Sequence, residues 1–316
     1  MNKNQRIMLS WALIAIYAIV TIVRRALAPD LLPVPISTAL ITFVPLLFLF
    51  VHGSLTYRLR DLLVFAAVTL VVSNIFENLS VLTGFPFGNY VYTDNIGPKL
   101  FHVPVLIGPV YLGTAYLAWT IARLIAGANH TRLSGHLIFS VPILAALMMV
   151  AWDLTMDPTF STVSRTWIWQ DGGSYFGVPF SNFLGWMLTT YVFLQMFALY
   201  LKERSKGQSV ENQPSRLLNL QAVLFYGLIG AYYFVNAVTA NTSETITDPA
   251  GMVWRVQDIH VVAGLIALFT MGTFTILGLV NLVKVSSAED IAVSTLTDRT
   301  QDTLAAQRSR APVPKA

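Results

Sequence analysis

The chain has 316 residues, of which 55% are hydrophobic and 11% are charged, and its mean hydropathy is +0.61. Soluble domains carry about 25% charged residues, so this composition excludes an ordinary soluble protein and predicts a polytopic membrane protein. The chain has no cysteine, which excludes disulfides and thiolate chemistry. Its formal net charge of +4 is accounted for by the basic loops that orient membrane proteins, and we expect no nucleic-acid partner.

Eight apolar segments are long enough to span a hydrocarbon layer of about 30 Å. They cover roughly residues 7–23, 37–52, 62–82, 103–126, 136–153, 181–201, 217–240 and 258–282. Arg24 and Arg25 follow the first segment, which is therefore interpreted as a retained helix and not as a signal peptide. The sequence predicts an all-α bundle of about eight transmembrane helices, built as a single domain over residues 1–283.

Basic residues predict how this bundle is oriented. Fifteen of the twenty Lys and Arg residues fall on one side, at the N-terminus, in alternate loops and in the tail. The positive-inside rule therefore predicts that both termini are cytoplasmic. The tail, residues 284–316, is rich in Ser, Thr, Ala and Gln, which predicts a disordered cytoplasmic segment. Half of the acids fall on the opposite side, so chemistry is expected near the outer leaflet.

Two carboxylates, Asp153 and Asp157, close the fifth apolar segment just before Pro158. Their four-residue spacing places both on one face of a helix. An acid at the edge of a hydrocarbon layer is costly and therefore indicates a functional site. Two alternatives stay open at this point. Both acids could be solvated just past the helix end, or they could bind Mg²⁺ for a diphosphate substrate, as in membrane prenyltransferases.

A third acid, Glu77, lies deep in the third segment between Asn74 and Asn78. A buried glutamate is rare unless it is paired or neutral, and the two asparagines, which flank it at helical spacing, are candidates to hydrogen-bond it. It is interpreted either as a structural polar clasp between helices or as a carboxyl group that gives or takes a proton. The third and fifth segments are each followed by an aromatic loop and by Val-Pro, which suggests two facing helix–loop–helix units.

The two loops after these segments alternate glycine with aromatic residues, at 83–92 and 167–177. They are interpreted either as an interfacial aromatic belt or as a lid over an apolar cavity whose rings stabilise a cation. The five histidines show no metal-ligand spacing, and the chain has no phosphate-binding glycine loop. The sequence therefore predicts no metal site and no cofactor.

With these motifs assembled, residues 62–201 resemble the carotenoid biosynthesis membrane protein family. Its characterised members are carotenoid 1,2-hydratases, including the haloarchaeal bisanhydrobacterioruberin hydratases. The resemblance is carried by Glu77 with the loop 83–92, by Trp152-Asp153 with Asp157-Pro158, and by the run 167–186. It implies a cofactor-independent hydro-lyase that adds water across the terminal C1–C2 double bond of a linear carotenoid. A carboxylic acid would protonate C2, and water would capture the tertiary cation at C1.

Under this interpretation Asp153 is favoured as the proton donor, Glu77 as its partner, and Asp157 as an exposed or loop-capping support. The expected substrate-binding side chains are aromatic rings and one amide: Phe87, Tyr90, Tyr92, Trp152, Trp167, Trp169, Tyr175, Asn182 and Trp186. The expected partners are a hydrophobic carotenoid, which enters from the bilayer of a prokaryotic cell membrane, and the surrounding membrane lipids. The alternatives are a prenyltransferase, a carotenoid cyclase, and a non-enzymatic lipid or pigment transporter or scaffold.

Overall fold

The computed structural model describes residues 1–27, 32–128, 131–204 and 215–284. The predicted disordered tail beyond residue 284 lies outside the described residues. Within these ranges eight helices form a bundle: α1 (Lys3–Leu27), α2 (Val34–Gly53), α3 (Leu59–Thr83), α4 (Ile107–Ile125), α5 (Leu137–Val163), α6 (Phe180–Arg204), α7 (Arg216–Thr239) and α8 (Val256–Lys284). Each helix corresponds to one predicted apolar segment, and the all-α prediction is confirmed.

Seven of the eight described helices are long and apolar enough to cross a membrane, and the protein is an integral membrane protein. The exception is α4, which packs against α2, α3, α5 and α7 and is buried without a break from Tyr111 to Arg123. Helix α4 contacts other helices and not lipid over this stretch. Small residues at such contacts allow the helices to pack closely. A Cβ at Gly113 would lie 2.5 Å from the Cβ of Pro45, so this glycine lets α2 pack directly on α4.

The largest difference from the predicted segments concerns α5, which continues to Val163 and does not end near residue 153. Its last turn, Pro158–Val163, is a π-helix. Pro158 has no N–H, so the carbonyl of Leu154 lacks its usual helical donor. The hydroxyl of Tyr175 donates to that carbonyl at 2.9 Å. The helix therefore continues past the proline, and both predicted acids lie within it.

Short antiparallel ribbons join the loops at one end of the bundle. They pair β1 (Tyr90–Tyr92) with β4 (Trp167–Trp169), β2 (Lys99–Leu100) with β3 (Val103–Pro104), and β5 (Thr245–Thr247) with β6 (Val253–Arg255). The β1–β4 ribbon connects the loop after α3 with the loop after α5. The two helix–loop–helix units suggested by the sequence therefore meet through their aromatic loops.

At the opposite end of the bundle, a buried ion pair joins α3 to α6. The carboxylate of Asp61 accepts a hydrogen bond from Tyr200 at 2.9 Å and pairs with Arg204 at 3.1 Å. Asp61 is fully buried, so removing either partner would leave a charge without compensation. Helix α3 precedes the first aromatic loop and α6 follows the second. This ion pair therefore joins the two helices at the end of the bundle opposite the loops.

We expect the substitution Tyr175→Phe to lower the free energy of unfolding in detergent by about 1 kcal/mol, because the Leu154 carbonyl loses its hydroxyl donor. In a Pro158→Ala background the alanine N–H can bond that carbonyl, so the same substitution should cost less. Denaturant unfolding of the four proteins in this double-mutant cycle measures the difference. An equal cost in both backgrounds would contradict the compensating role of Tyr175.

Candidate functional site

Glu77 lies near the C-terminal end of α3 and is only 4% exposed. Its carboxyl group accepts three hydrogen bonds from phenols. Tyr111 of α4 donates to Oε1 at 2.7 Å, Tyr92 donates to Oε2 at 2.9 Å, and Tyr90 also donates to Oε2. Three neutral donors thus replace the water that would solvate this carboxyl group outside the protein.

The flanking asparagines, candidates from the sequence to hydrogen-bond Glu77, bond other groups instead. The Asn78 amide donates to the backbone carbonyl of Asn74 at 2.8 Å and to its side-chain oxygen at 3.1 Å. The Asn78 oxygen accepts from the backbone N–H of His102 at 2.9 Å. Because Asn78 directly follows Glu77 on the helix, it points away from the carboxyl group and secures the neighbouring loop instead.

Asp157 is 1% exposed, so the expectation that it is exposed is wrong. It is buried because α5 continues through Pro158. The indole N–H groups of Trp167 and Trp169 donate to its Oδ1 at 2.9 and 3.3 Å. The amide of Asn182, on α6, donates to its Oδ2 at 2.7 Å. Like Glu77, this carboxyl group is held by three neutral donors.

Asp153 lies one helical turn before Asp157 and is completely buried. The same Asn182 amide donates to its Oδ2 at 2.8 Å, so one side chain bridges the two aspartates. Its Oδ1 has no hydrogen-bond partner within the described ranges. The sequence predicted that Asn182 contacts substrate. In the structure its amide group bridges the carboxyl groups of Asp153 and Asp157.

The β1–β4 ribbon supplies four of the donors to these acids. Residues two apart on a strand share one face, and the register places Tyr90 opposite Trp169 and Tyr92 opposite Trp167. The two tyrosines of β1 donate hydrogen bonds to Glu77, and the two tryptophans of β4 donate hydrogen bonds to Asp157. Burial raises the pKa of the Tyr90 and Tyr92 phenols, and the nearby Glu77 carboxyl raises it further. Both phenols therefore remain hydrogen-bond donors at neutral pH.

A largely apolar cavity of about 210 Å³ lies beneath this ribbon. Glu77 and Asp157 line its wall, whereas Asp153 does not. Eight of the nine predicted binding residues also line it: Phe87, Tyr90, Tyr92, Trp152, Trp167, Trp169, Asn182 and Trp186. The ninth, Tyr175, does not line the cavity. Burial, followed by the charges of Asp153 and Asp157, raises its pKa to about 12, which keeps it a donor to Leu154.

Aromatic rings stack around the cavity. Trp186 lies flat against Tyr111, with ring centres 4.6 Å apart and planes 4° from parallel, and Trp152 meets Trp186 edge-on at 5.7 Å. The first aromatic loop reaches this cluster because α6 has glycine at its contact point. A Cβ at Gly185 would lie 2.6 Å from the ring of Phe87. The cavity is therefore lined by aromatic rings, a residue type that stabilises cations, beside two acids.

The sequence did not identify Tyr111 or the wall contributed by α1, α2 and α7. That wall includes Tyr17, Thr38, Ile41, Thr42, Ile229 and Tyr233. Tyr111 is 34 residues from Glu77 in the chain, and a tyrosine in an apolar helix gives no sign of its partner. Among the described residues, no group of three or more His, Asp or Glu side chains is placed to hold a metal ion.

The polar residues of the α7–α8 hairpin have partners outside this cavity. Asp258 forms an exposed ion pair with Arg255 at 2.7 Å. Asp248 accepts from the backbone N–H of Met252 at 2.9 Å and from the indole of Trp254 at 2.8 Å. These bonds close the turn between β5 and β6, so Asp248 shapes the hairpin and contributes no carboxyl group to the acid cluster.

The sequence model of the carotenoid biosynthesis protein family matches residues 34–250, which is more than half of the chain. The chain belongs to this family. A bisanhydrobacterioruberin hydratase of Haloarcula japonica is 28% identical over 198 residues, which make up 61% of this chain. The match spans 62% of that relative's length. No solved structure matches the chain significantly.

The family match confirms the predicted resemblance. The matched residues 34–250 contain Glu77, Asp153, Asp157, Asn182 and the β1–β4 ribbon, whereas α1 and α8 lie outside the matched region. The elements that hold the acids therefore coincide with the part of the chain that this family shares.

We expect Tyr111→Phe to lower the free energy of unfolding by about 1–3 kcal/mol, because Glu77 Oε1 loses its phenol donor inside the bundle. Tyr226→Phe provides the matched comparison. Tyr226 is equally buried, but it donates at 2.9 Å to the backbone carbonyl of Met148, which lies inside α5 and also has a helical donor. Loss of the Tyr226 hydroxyl should therefore lower the free energy of unfolding by less than loss of the Tyr111 hydroxyl. Unfolding curves of both variants in detergent measure the two free energies. A larger loss of stability in Tyr226→Phe would contradict the dependence of Glu77 Oε1 on its phenol donor.

Proposed function

We propose that this protein is a carotenoid hydratase that adds water across the terminal C1–C2 double bond of a linear carotenoid end group. The observation that carries the proposal is the presence of Glu77 and Asp157 on the wall of one apolar cavity surrounded by aromatic rings. Membership of the family and the hydratase relative support a carotenoid substrate. The proposed enzyme is a hydro-lyase that works through side chains alone, without a cofactor.

The proposed proton donor is the pair formed by Asp153 and Asp157. Two buried carboxyl groups bridged by one neutral amide repel each other when both are charged, so the pair is best accommodated with one proton between them. Asp157 lines the cavity, and the proton reaches C2 of the substrate from there. This proposal gives the donor role to the pair, where the sequence favoured Asp153 alone.

Glu77 is the proposed base. Its three phenol donors offset the charge of a carboxylate in an apolar environment. After C2 is protonated, the tertiary cation at C1 lies among the aromatic ring faces, and Glu77 takes a proton from the water that attacks C1. The alcohol then leaves, and the proton on Glu77 returns to the aspartate pair through solvent, which restores the starting state.

The long polyene is proposed to enter from the bilayer between α2 and α4. Thr38, in the first turns of α2, is exposed and also lines the cavity, and half-buried Leu106 and Ile107 line it at the start of α4. The cavity therefore reaches the surface between these helices. The distribution of Lys and Arg supports a site toward the non-cytoplasmic side of a prokaryotic cell membrane.

Expression in a bacterial host that accumulates lycopene or γ-carotene tests the proposal. The pigment is expected to gain the mass of one water for each hydrated end group. Asp157→Asn and Glu77→Gln should each lower the alcohol by about 100-fold or more, because a positioned acid or base contributes about 10²–10⁴-fold to such reactions. Asp153→Asn should also lower it, and chromatography with mass detection measures all products.

Asp94→Asn is the matched control, because Asp94 is a fully exposed acid paired with Lys99 on the same side of the protein. It should leave the alcohol unchanged, and immunoblotting of membranes checks that all variants accumulate equally. A cyclic pigment of unchanged mass would contradict hydration and favour a cyclase. Wild-type protein that leaves the pigments unaltered would favour a transporter or scaffold.

A further inference from the structure

A second cavity of about 210 Å³ lies between the end of α5 and the α7–α8 hairpin. Its inner surface combines the apolar groups of Ile168 and Trp169 with three buried polar side chains, Ser161, Thr162 and Asp248. Its rim is exposed and is formed by Arg165, Thr247 and Pro249. The rim is held together by the Arg165 guanidinium, which donates to the backbone carbonyl of Thr247 at 3.3 Å. This cavity therefore opens to the protein surface through the connecting loops.

Among the described residues, Trp169 is the one that lines both cavities. Its indole donates to Asp157 Oδ1 at 3.3 Å, a longer bond than the 2.9 Å bond from Trp167 to the same oxygen. On the second-cavity side, the hydroxyl of Ser161 donates to the backbone carbonyl of Asp157 at 2.8 Å. The second cavity thus ends at Trp169 and Ser161, both of which hydrogen-bond Asp157, the residue that is proposed to protonate the substrate.

We propose that this second cavity is a water chamber, which supplies the water consumed in hydration past Trp169. The inference rests on the proposed function. The lining of the first cavity is largely apolar and its proposed entrance lies between membrane helices. The second cavity offers the hydroxyl groups of Ser161 and Thr162 and the charged side chains of Arg165 and Asp248, which are the several polar partners that an ordered water needs. Trp169 keeps bulk water from the acids and admits single molecules, because its hydrogen bond to Asp157 is the weaker of the two indole bonds.

In the proposed step the aspartate pair gives its proton to C2, and the cation forms at C1. One water from the chamber passes Trp169, and its oxygen forms the bond to C1 while one of its protons goes to Glu77. If water does not arrive, the cation returns a proton from C2 to the aspartate pair, and the alkene forms again. Blocking the chamber therefore changes how the cation partitions, and does not prevent its formation.

The test uses full-length protein in detergent, equilibrated in D₂O so that its acids carry deuterium, and a single turnover of lycopene. Mass detection measures two products, the alcohol and the recovered carotenoid that contains deuterium at C2. Thr247→Trp fills the rim of the chamber. Thr247→Val keeps the size of the side chain, and Thr245→Trp places the same bulk two residues earlier on β5, outside the chamber.

Thr247→Trp is expected to lower the alcohol about ten-fold while deuterium exchange in the recovered carotenoid stays constant or rises. Thr247→Val and Thr245→Trp should both keep the wild-type ratio of alcohol to exchange. A wild-type ratio in Thr247→Trp would overturn the water chamber, and so would a parallel loss of alcohol and exchange. If wild-type protein gives neither alcohol nor exchange, the proposed function fails as well.

Discussion

Burial of three carboxyl groups inside a membrane helix bundle is the constraint on which the rest of this structure depends. A buried acid without hydrogen-bond partners costs several kcal/mol, so its donors must be delivered by the fold. Here they come from α4, from α6 and from the two strands of one ribbon. The ribbon side chains are equally dependent on the acids, because buried phenol and indole groups need acceptors. Acids and ribbon therefore specify each other's position.

The same constraint accounts for the course of α5. Asp157 is the last residue of the α-helical part of α5, and the π-helical turn Pro158–Val163 continues the helix beyond it, so this acid is buried beside the indoles of β4. The hydroxyl of Tyr175 compensates the carbonyl that the proline leaves without its donor, so the helix continues and carries the second acid inward. The loop that contains Tyr175 also leads into α6, which brings the bridging amide of Asn182. The segment from Tyr175 to Asn182 thus supplies both the hydroxyl that bonds the Leu154 carbonyl of α5 and the amide that bridges the two aspartates.

Much of this architecture was predictable from the sequence, and the exceptions have physical causes. Long apolar segments predict the helices, because each must satisfy its own backbone in lipid. Four-residue spacing placed Asp153 and Asp157 on one face, and the aromatic loops were expected to cover a cavity. The burial of Asp157 was missed because a proline normally ends a helix. Tyr111 was missed because its contact with Glu77 depends on how α4 packs in the bundle, which spacing along the chain does not encode.

A hydratase of an apolar substrate must satisfy two opposing requirements, since water has to be absent when the acid is strong and present when the cation forms. A single open pocket cannot meet both. The structure has an apolar cavity, lined by Glu77 and Asp157, and a second cavity with buried hydroxyl groups that reaches the surface, and Trp169 lines both. Because Trp169 also donates to Asp157, its movement would both admit water and alter the acid. The ribbon that holds the acids would then also control when water reaches them.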